Sequence, residues 1–86
     1  MRVRFHRNFE KQYRKLRPEE KQRFRERRDL FIKNVFHPLL KNHALRGAYA
    51  GYRSVNVGGD LRAIYKLAAD DLALFVTIGT HNDLYS

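Results

Sequence analysis

Cysteine is absent from this chain of 86 residues. That excludes a disulfide framework and thiolate chemistry and argues against a structural zinc site, as expected for a reducing compartment. Long apolar runs are missing too. No stretch approaches the roughly 20 residues of a membrane span, and Met1-Arg2-Val3-Arg4 opens a charged segment rather than a signal-peptide core. The expectation is a soluble cytoplasmic protein with no membrane partner. A Gly-rich phosphate loop, an HExxH helix and a Ser-His-Asp pattern are all lacking, so no metal or cofactor is implied. Repeats, low-complexity segments and linkers are lacking as well, and the length suits one domain spanning residues 1–86.

Acidic residues are scarce, with 9 Asp and Glu against 18 Lys and Arg, for a net charge of +9 and a pI near 10.4. Such a field favours a polyanionic partner, nucleic acid first, because neutralising phosphates releases counterions. An acidic protein would be drawn by the same field. Residues 1–36 hold 13 of the 18 basic side chains, which is equally what a solvated helical face looks like.

What is present is a core: 43% of residues are hydrophobic and 13% aromatic, enough to exclude global disorder. Residues 2–6 alternate with period two, putting Val3 and Phe5 on one face of a strand and His6 on the other. Asn8 is positioned to cap a helix along which Phe9, Tyr13 and Leu16 recur. Pro18 starts a second helix with Glu19 and Glu20 at its positive end, running to about Val35. After Pro38, Leu39 and Leu40 pack a linking loop. Strands are expected over Ala44–Tyr49, Tyr52–Val57, Leu61–Ala68 and Leu72–Ile78, with Gly58-Gly59 as a two-residue hairpin turn and Asp70-Asp71 as the next. The fold class is α+β in the order β-α-α-β-β-β-β, with two helices packed on one face of a twisted, mainly antiparallel sheet.

The Gly58-Gly59 turn would pair Val57 with Asp60, Val55 with Arg62 and Arg53 with Ile64, leaving Arg53, Asp60 and Arg62 on one face. Arg62 would then lie opposite the Thr77–Gly79 end of the last strand, within reach of His81. Two guanidiniums, a carboxylate and an imidazole suit metal-independent cleavage of RNA by its own 2′-hydroxyl. That reaction needs a base, cations against phosphorane charge, and an acid for the 5′-oxygen. Each residue also has a bland role. His81 can close the last strand, His43 can be a surface residue and Asp60 can serve its turn. Tyr52, Tyr65 and Phe75 are expected to pack in the sheet, and His6 and His37 to be structural.

His43-Ala44-Leu45-Arg46-Gly47, Gly51-Tyr52-Arg53, Asp60-Leu61-Arg62-Ala63-Ile64-Tyr65-Lys66 and Ile78-Gly79-Thr80-His81-Asn82-Asp83-Leu84-Tyr85 together resemble the RelE superfamily of bacterial toxins, and within it the YafQ-like branch. The match covers the chain from His43 onward by motif and the β-α-α opening by architecture. The resemblance implies the toxin of a type II toxin-antitoxin system, a ribosome-dependent mRNA endoribonuclease that inhibits translation. Its implied partners are the ribosome and mRNA, an acidic antitoxin encoded nearby, and operator DNA reached only through the antitoxin complex. It implies His81 as general acid or base, His43 and Asp60 as companion catalytic positions, Arg62 as phosphate ligand, Tyr85 as an aromatic on the scissile nucleotide and Arg53 as a weaker basic contact.

Two positions depart from the pattern. Asn56 stands where the branch carries a further catalytic histidine, and it cannot exchange a proton near neutrality. Thr77 stands where it carries an arginine. Lower activity, transfer of their roles to Arg53 and Arg62, and loss of cleavage are all open consequences. The alternatives from other classes are a non-cleaving, ParE-like gyrase poison and a basic nucleic-acid-binding module.

Overall fold

The opening alternation makes a strand, β1 (Arg2–Phe5), in the computed structural model, which describes residues 1–85. Ser86, at the end of the closing segment, lies outside the described residues. Helix α1 (Arg7–Arg14) follows at once. Its cap is His6 rather than the expected Asn8: His6 is extended, and its Nδ1 accepts the Asn8 N–H at 3.0 Å, the bond an Asn or Ser side chain normally accepts. Helix α2 (Pro18–Lys33) begins with Pro18 in its first turn, and the Glu20 carboxylate accepts the Arg17 N–H at 2.9 Å. The helix stops two residues before Val35, because Asn34 turns extended and its Oδ1 accepts the Phe36 N–H. A single 3-10 turn, Pro38–Leu40, then buries Leu40 and leaves Leu39 exposed.

Five strands form one sheet in the order β1-β5-β4-β3-β2, the others being β2 (His43–Ala44), β3 (Arg53–Gly58), β4 (Leu61–Ala69) and β5 (Leu72–Thr80). β1 runs parallel to β5 and the remaining pairs are antiparallel. A short helix, α3 (His81–Tyr85), ends the described chain. The expected strand Ala44–Tyr49 is reduced to β2. Gly47 adopts a left-handed φ of 65°, which opens a 3-10 turn over Gly47–Tyr49 and lifts the chain off the sheet edge.

Phe9, Phe24, Phe31, Tyr65 and Phe75 are all buried and meet ring to ring at centroid distances of 5.0 to 6.0 Å, forming the centre of the core between the helices and one sheet face. The last β1-side bond is His6 N–H to the Phe75 carbonyl, so β5 loses its neighbour there. α1 takes over. The Gln12 side-chain oxygen accepts the Ile78 N–H at 2.9 Å and the Thr77 hydroxyl at 3.0 Å, giving the unpaired strand edge a partner.

The β3–β4 register corrects the expected one. Asn56 pairs with Arg62, Val55 with Ala63, Ser54 with Ile64 and Arg53 with Tyr65, and Gly58 rather than Val57 closes the ladder, against Leu61. The cause is local: the Asn56 side-chain oxygen accepts the Gly58 N–H at 2.7 Å, and Gly58 sits at φ 120°, so a bulge forms before a Gly59-Asp60 turn. A slip of one residue moves side chains to the opposite face. Arg53 therefore faces the helices, while Arg62 faces the open side of the sheet.

Candidate active site

The open face carries a cleft of about 340 Å³ lined by His43, Leu45, Ser54, Arg62, His81 and Tyr85. Its elements converge for identifiable reasons. His43 stands on β2, directly across from Ser54. Arg62 lies opposite Gly79, as β4 pairs with β5. His81 and Tyr85 are delivered by α3, whose start is a reciprocal box: the Thr80 hydroxyl accepts the Asp83 N–H, and the Asp83 carboxylate accepts the Thr80 N–H. A further bond, His81 N–H to the Asp60 carbonyl at 3.2 Å, ties α3 to the β3–β4 turn. Gly79 lets the helix fold back, since a Cβ there would lie 3.3 Å from the Asp83 Cβ.

The hydrogen bonds define what each group can do. His43 Nδ1 lies 2.9 Å from the Lys41 carbonyl. A carbonyl only accepts, so Nδ1 carries the hydrogen and the neutral ring presents Nε2 as a free lone pair. Nδ1 of His6 and of His37 accepts a backbone N–H instead, from Asn8 and Leu39 respectively, and both rings serve as caps. Arg62 Nη1 donates to the Gly59 and Leu61 carbonyls at 3.1 and 3.3 Å, which holds the guanidinium at the cleft with further donors to spare. The His81 and Tyr85 rings are 4.8 Å apart between centroids.

Asp60 sits exposed in the turn next to His81 and meets it through backbone. Arg53 is not brought to this cleft. Its Nε donates to Asn42 Oδ1 at 2.7 Å, Asn42 in turn donates to the Tyr65 hydroxyl at 2.8 Å, and the guanidinium lies 5.3 Å over the Phe36 ring. The two departures have occupations of their own, Asn56 in the hairpin bulge and Thr77 in the bond to Gln12.

One residue lining the cleft and one beside it were invisible to sequence reasoning. Ser54 is fully buried, and its hydroxyl has no hydrogen-bond partner among the described residues. The β2–β3 pairing puts it across from His43, and only the corrected β3–β4 register puts it on the face that Arg62 shares. Tyr49, expected to belong to a strand, instead stands 5.9 Å from Tyr85, edge to face.

A family model described as "Bacterial toxin of type II toxin-antitoxin system, YafQ" matches residues 1–86. Among solved structures, the chain is similar to YafQ from E. coli strain BL21(DE3), at 26% identity and a TM-score of 0.83 with all of both chains covered. It is similar to YafQ in the E. coli DinJ-YafQ toxin-antitoxin complex, at 27% identity and a TM-score of 0.79, with 98% of this chain and 96% of that one covered. A YoeB/ParE toxin from Agrobacterium tumefaciens shares the fold at 16% identity and a TM-score of 0.77, over 94% of this chain and 99% of that one. A search of curated protein sequences gave no significant match. With an α+β fold of the expected order and a family match over its full length, the chain belongs to the YafQ family of bacterial toxins of type II toxin-antitoxin systems.

Proposed function

We infer that this toxin is a ribosome-dependent endoribonuclease that cuts mRNA by attack of the message's own 2′-hydroxyl. The observation that carries this reading is the meeting of His43, Arg62, His81 and Tyr85 in one cleft. His43 Nε2 takes the 2′-hydroxyl proton, and the freed oxygen attacks the adjacent phosphorus. Arg62 balances the charge that grows on the phosphorane oxygens. The imidazolium of His81 gives its proton to the departing 5′-oxygen, leaving a 2′,3′-cyclic phosphate on one fragment and a 5′-hydroxyl on the other. Tyr85 offers a ring face to a base at the cut. Asp60 acts through its turn, steadying the start of α3. With Asn56 and Thr77 bound into the scaffold, acid-base work falls on the two cleft histidines alone, and activity below that of a toxin bearing the further histidine and arginine is expected.

A basic toxin of this family calls for an acidic antitoxin covering its surface, as DinJ accompanies YafQ in the E. coli complex. Contact with operator DNA would come through that complex.

The test is a purified translation system with mapping of message 5′ ends. The expected result is cleavage within translated regions that stops when translation is blocked, and a fall of about 10²-fold or more in His81→Ala or His43→Ala, the range for loss of a general acid or base. Gyrase-dependent DNA damage with intact message would overturn this reading.

A further inference from the structure

Beside the cleft, on the same open sheet face, lies a second hollow of about 440 Å³ that none of the chemistry above uses. Its floor is Leu74 and Val76 of β5, half-buried apolar side chains on the face away from the helices. Tyr49 and Tyr52 wall one side, their rings perpendicular at 6.2 Å, and Lys66 lies 5.7 Å over the Tyr52 ring. On the rim stands His6, whose Nδ1 is engaged by the Asn8 N–H, so its neutral ring turns an Nε2–H donor outward. No lining residue is acidic. Tyr49 also contacts Tyr85 edge to face at 5.9 Å, so one tyrosine pair forms the partition between hollow and cleft.

We propose that this hollow is a stacking subsite for a nucleotide flanking the one that is cut, with Tyr49 and Tyr52 receiving the base over the Leu74–Val76 floor, and Lys66 and the His6 Nε2–H taking a backbone phosphate. Aromatic faces beside a cationic rim and an apolar floor are what sequence-tolerant binding of single-stranded RNA requires. The volume suits one nucleotide rather than a folded segment. The subsite rests on the ribonuclease reading for the direction in which the strand runs, but its chemistry stands on its own residues.

The experiment titrates the full chain with a single-stranded RNA of about six nucleotides, within the site sizes of such surfaces. The RNA carries 2′-O-methyl sugars throughout so that no cut can occur, and binding is followed by amide and aromatic-ring NMR. The expected result is one contiguous set of shifts running from Tyr85 through Tyr49 and Tyr52 to Lys66. Tyr49→Ala and Lys66→Met should each weaken binding about fivefold or more, while Tyr49→Phe binds as wild type. Shifts confined to the two long helices, or unchanged affinity in both variants, overturn the subsite. A chain that binds RNA here but leaves translated message whole keeps the subsite and sinks the ribonuclease reading. A chain that cuts message equally well with Tyr49→Ala and Lys66→Met does the reverse.

Discussion

Arg53 and Arg62 look alike in sequence and differ in everything the fold decides. The Arg53 guanidinium is the donor in a half-buried chain through Asn42 to the Tyr65 hydroxyl, whereas Arg62 faces the cleft. Arg53→Ala should therefore lower unfolding free energy by about 1–2 kcal/mol, since it leaves a polar partner unsatisfied, and should leave message cleavage within about twofold of wild type. Arg62→Ala should do the opposite. Its surface-type stability change should stay within about 0.5 kcal/mol, while loss of a charge-stabilising donor lowers cleavage by about 10²-fold. Urea unfolding and single-turnover cleavage of the two variants check the pair. Asn56→Ala belongs with Arg53: without the bond to Gly58 N–H, the bulge loses about 1 kcal/mol by the same unfolding assay.

At the scale of elements, α3 is short and held by little more than the Thr80–Asp83 box and the His81 bond to the hairpin. Gly79→Ala would press a Cβ to 3.3 Å from Asp83. The helix yields at a stability cost of about 1 kcal/mol, but the His81 ring shifts with it, and cleavage should drop by about tenfold or more because general acids act over tenths of an ångström. The α2 cap carries a pH signature. The Glu20 carboxyl is held below its ordinary 4.5, first by the Arg17 N–H it accepts and then by the Arg17 side chain. A depressed folded-state pKa adds stability that is complete above 4.5 and fades as pH falls through the lower folded value. Melting curves from pH 6 down should show the stability gap between wild type and Glu20→Gln closing in that acid range, and a gap that widens there would contradict the assignment.

Over the whole molecule, residues 1–36, which are β1, the two long helices and the links between them, hold 13 of the 18 basic side chains, while the cleft and the tyrosine hollow occupy the sheet face away from α1 and α2. Binding of single-stranded RNA should weaken steeply with salt, with a slope set by the phosphates neutralised, and Lys66→Met should reduce that slope by about one phosphate contact. Filter binding from about 50 to 200 mM salt reads this directly.

Much of the architecture was legible because it is written in local periodicity. The Val3 and Phe5 alternation, the Phe9-Tyr13-Leu16 stripe, Pro18 with its acidic first turn, and the apolar runs of β3 to β5 all report their elements without tertiary help. The closing motif with His81 and Tyr85, and the approach of Arg62 to it, were legible too, because the Asp70-Asp71 turn brings β4 against β5. Faces and neighbours were not. One hydrogen bond from Gly58 N–H to Asn56 shifted the β3 register and exchanged Arg53 for Ser54 in the cleft, an outcome invisible to a pattern of period two because either register keeps the alternation intact. Local pattern and motif were enough for the order of the elements, the family resemblance and the candidate histidines. The tertiary structure alone decided that His43 offers Nε2, that His6 is a cap, and that Tyr49 crosses the open face to meet Tyr85. The first two depend on how the backbone bends between residues two apart, Lys41 and His43 or His6 and Asn8, and the third on a partner distant in the chain, neither of which composition encodes.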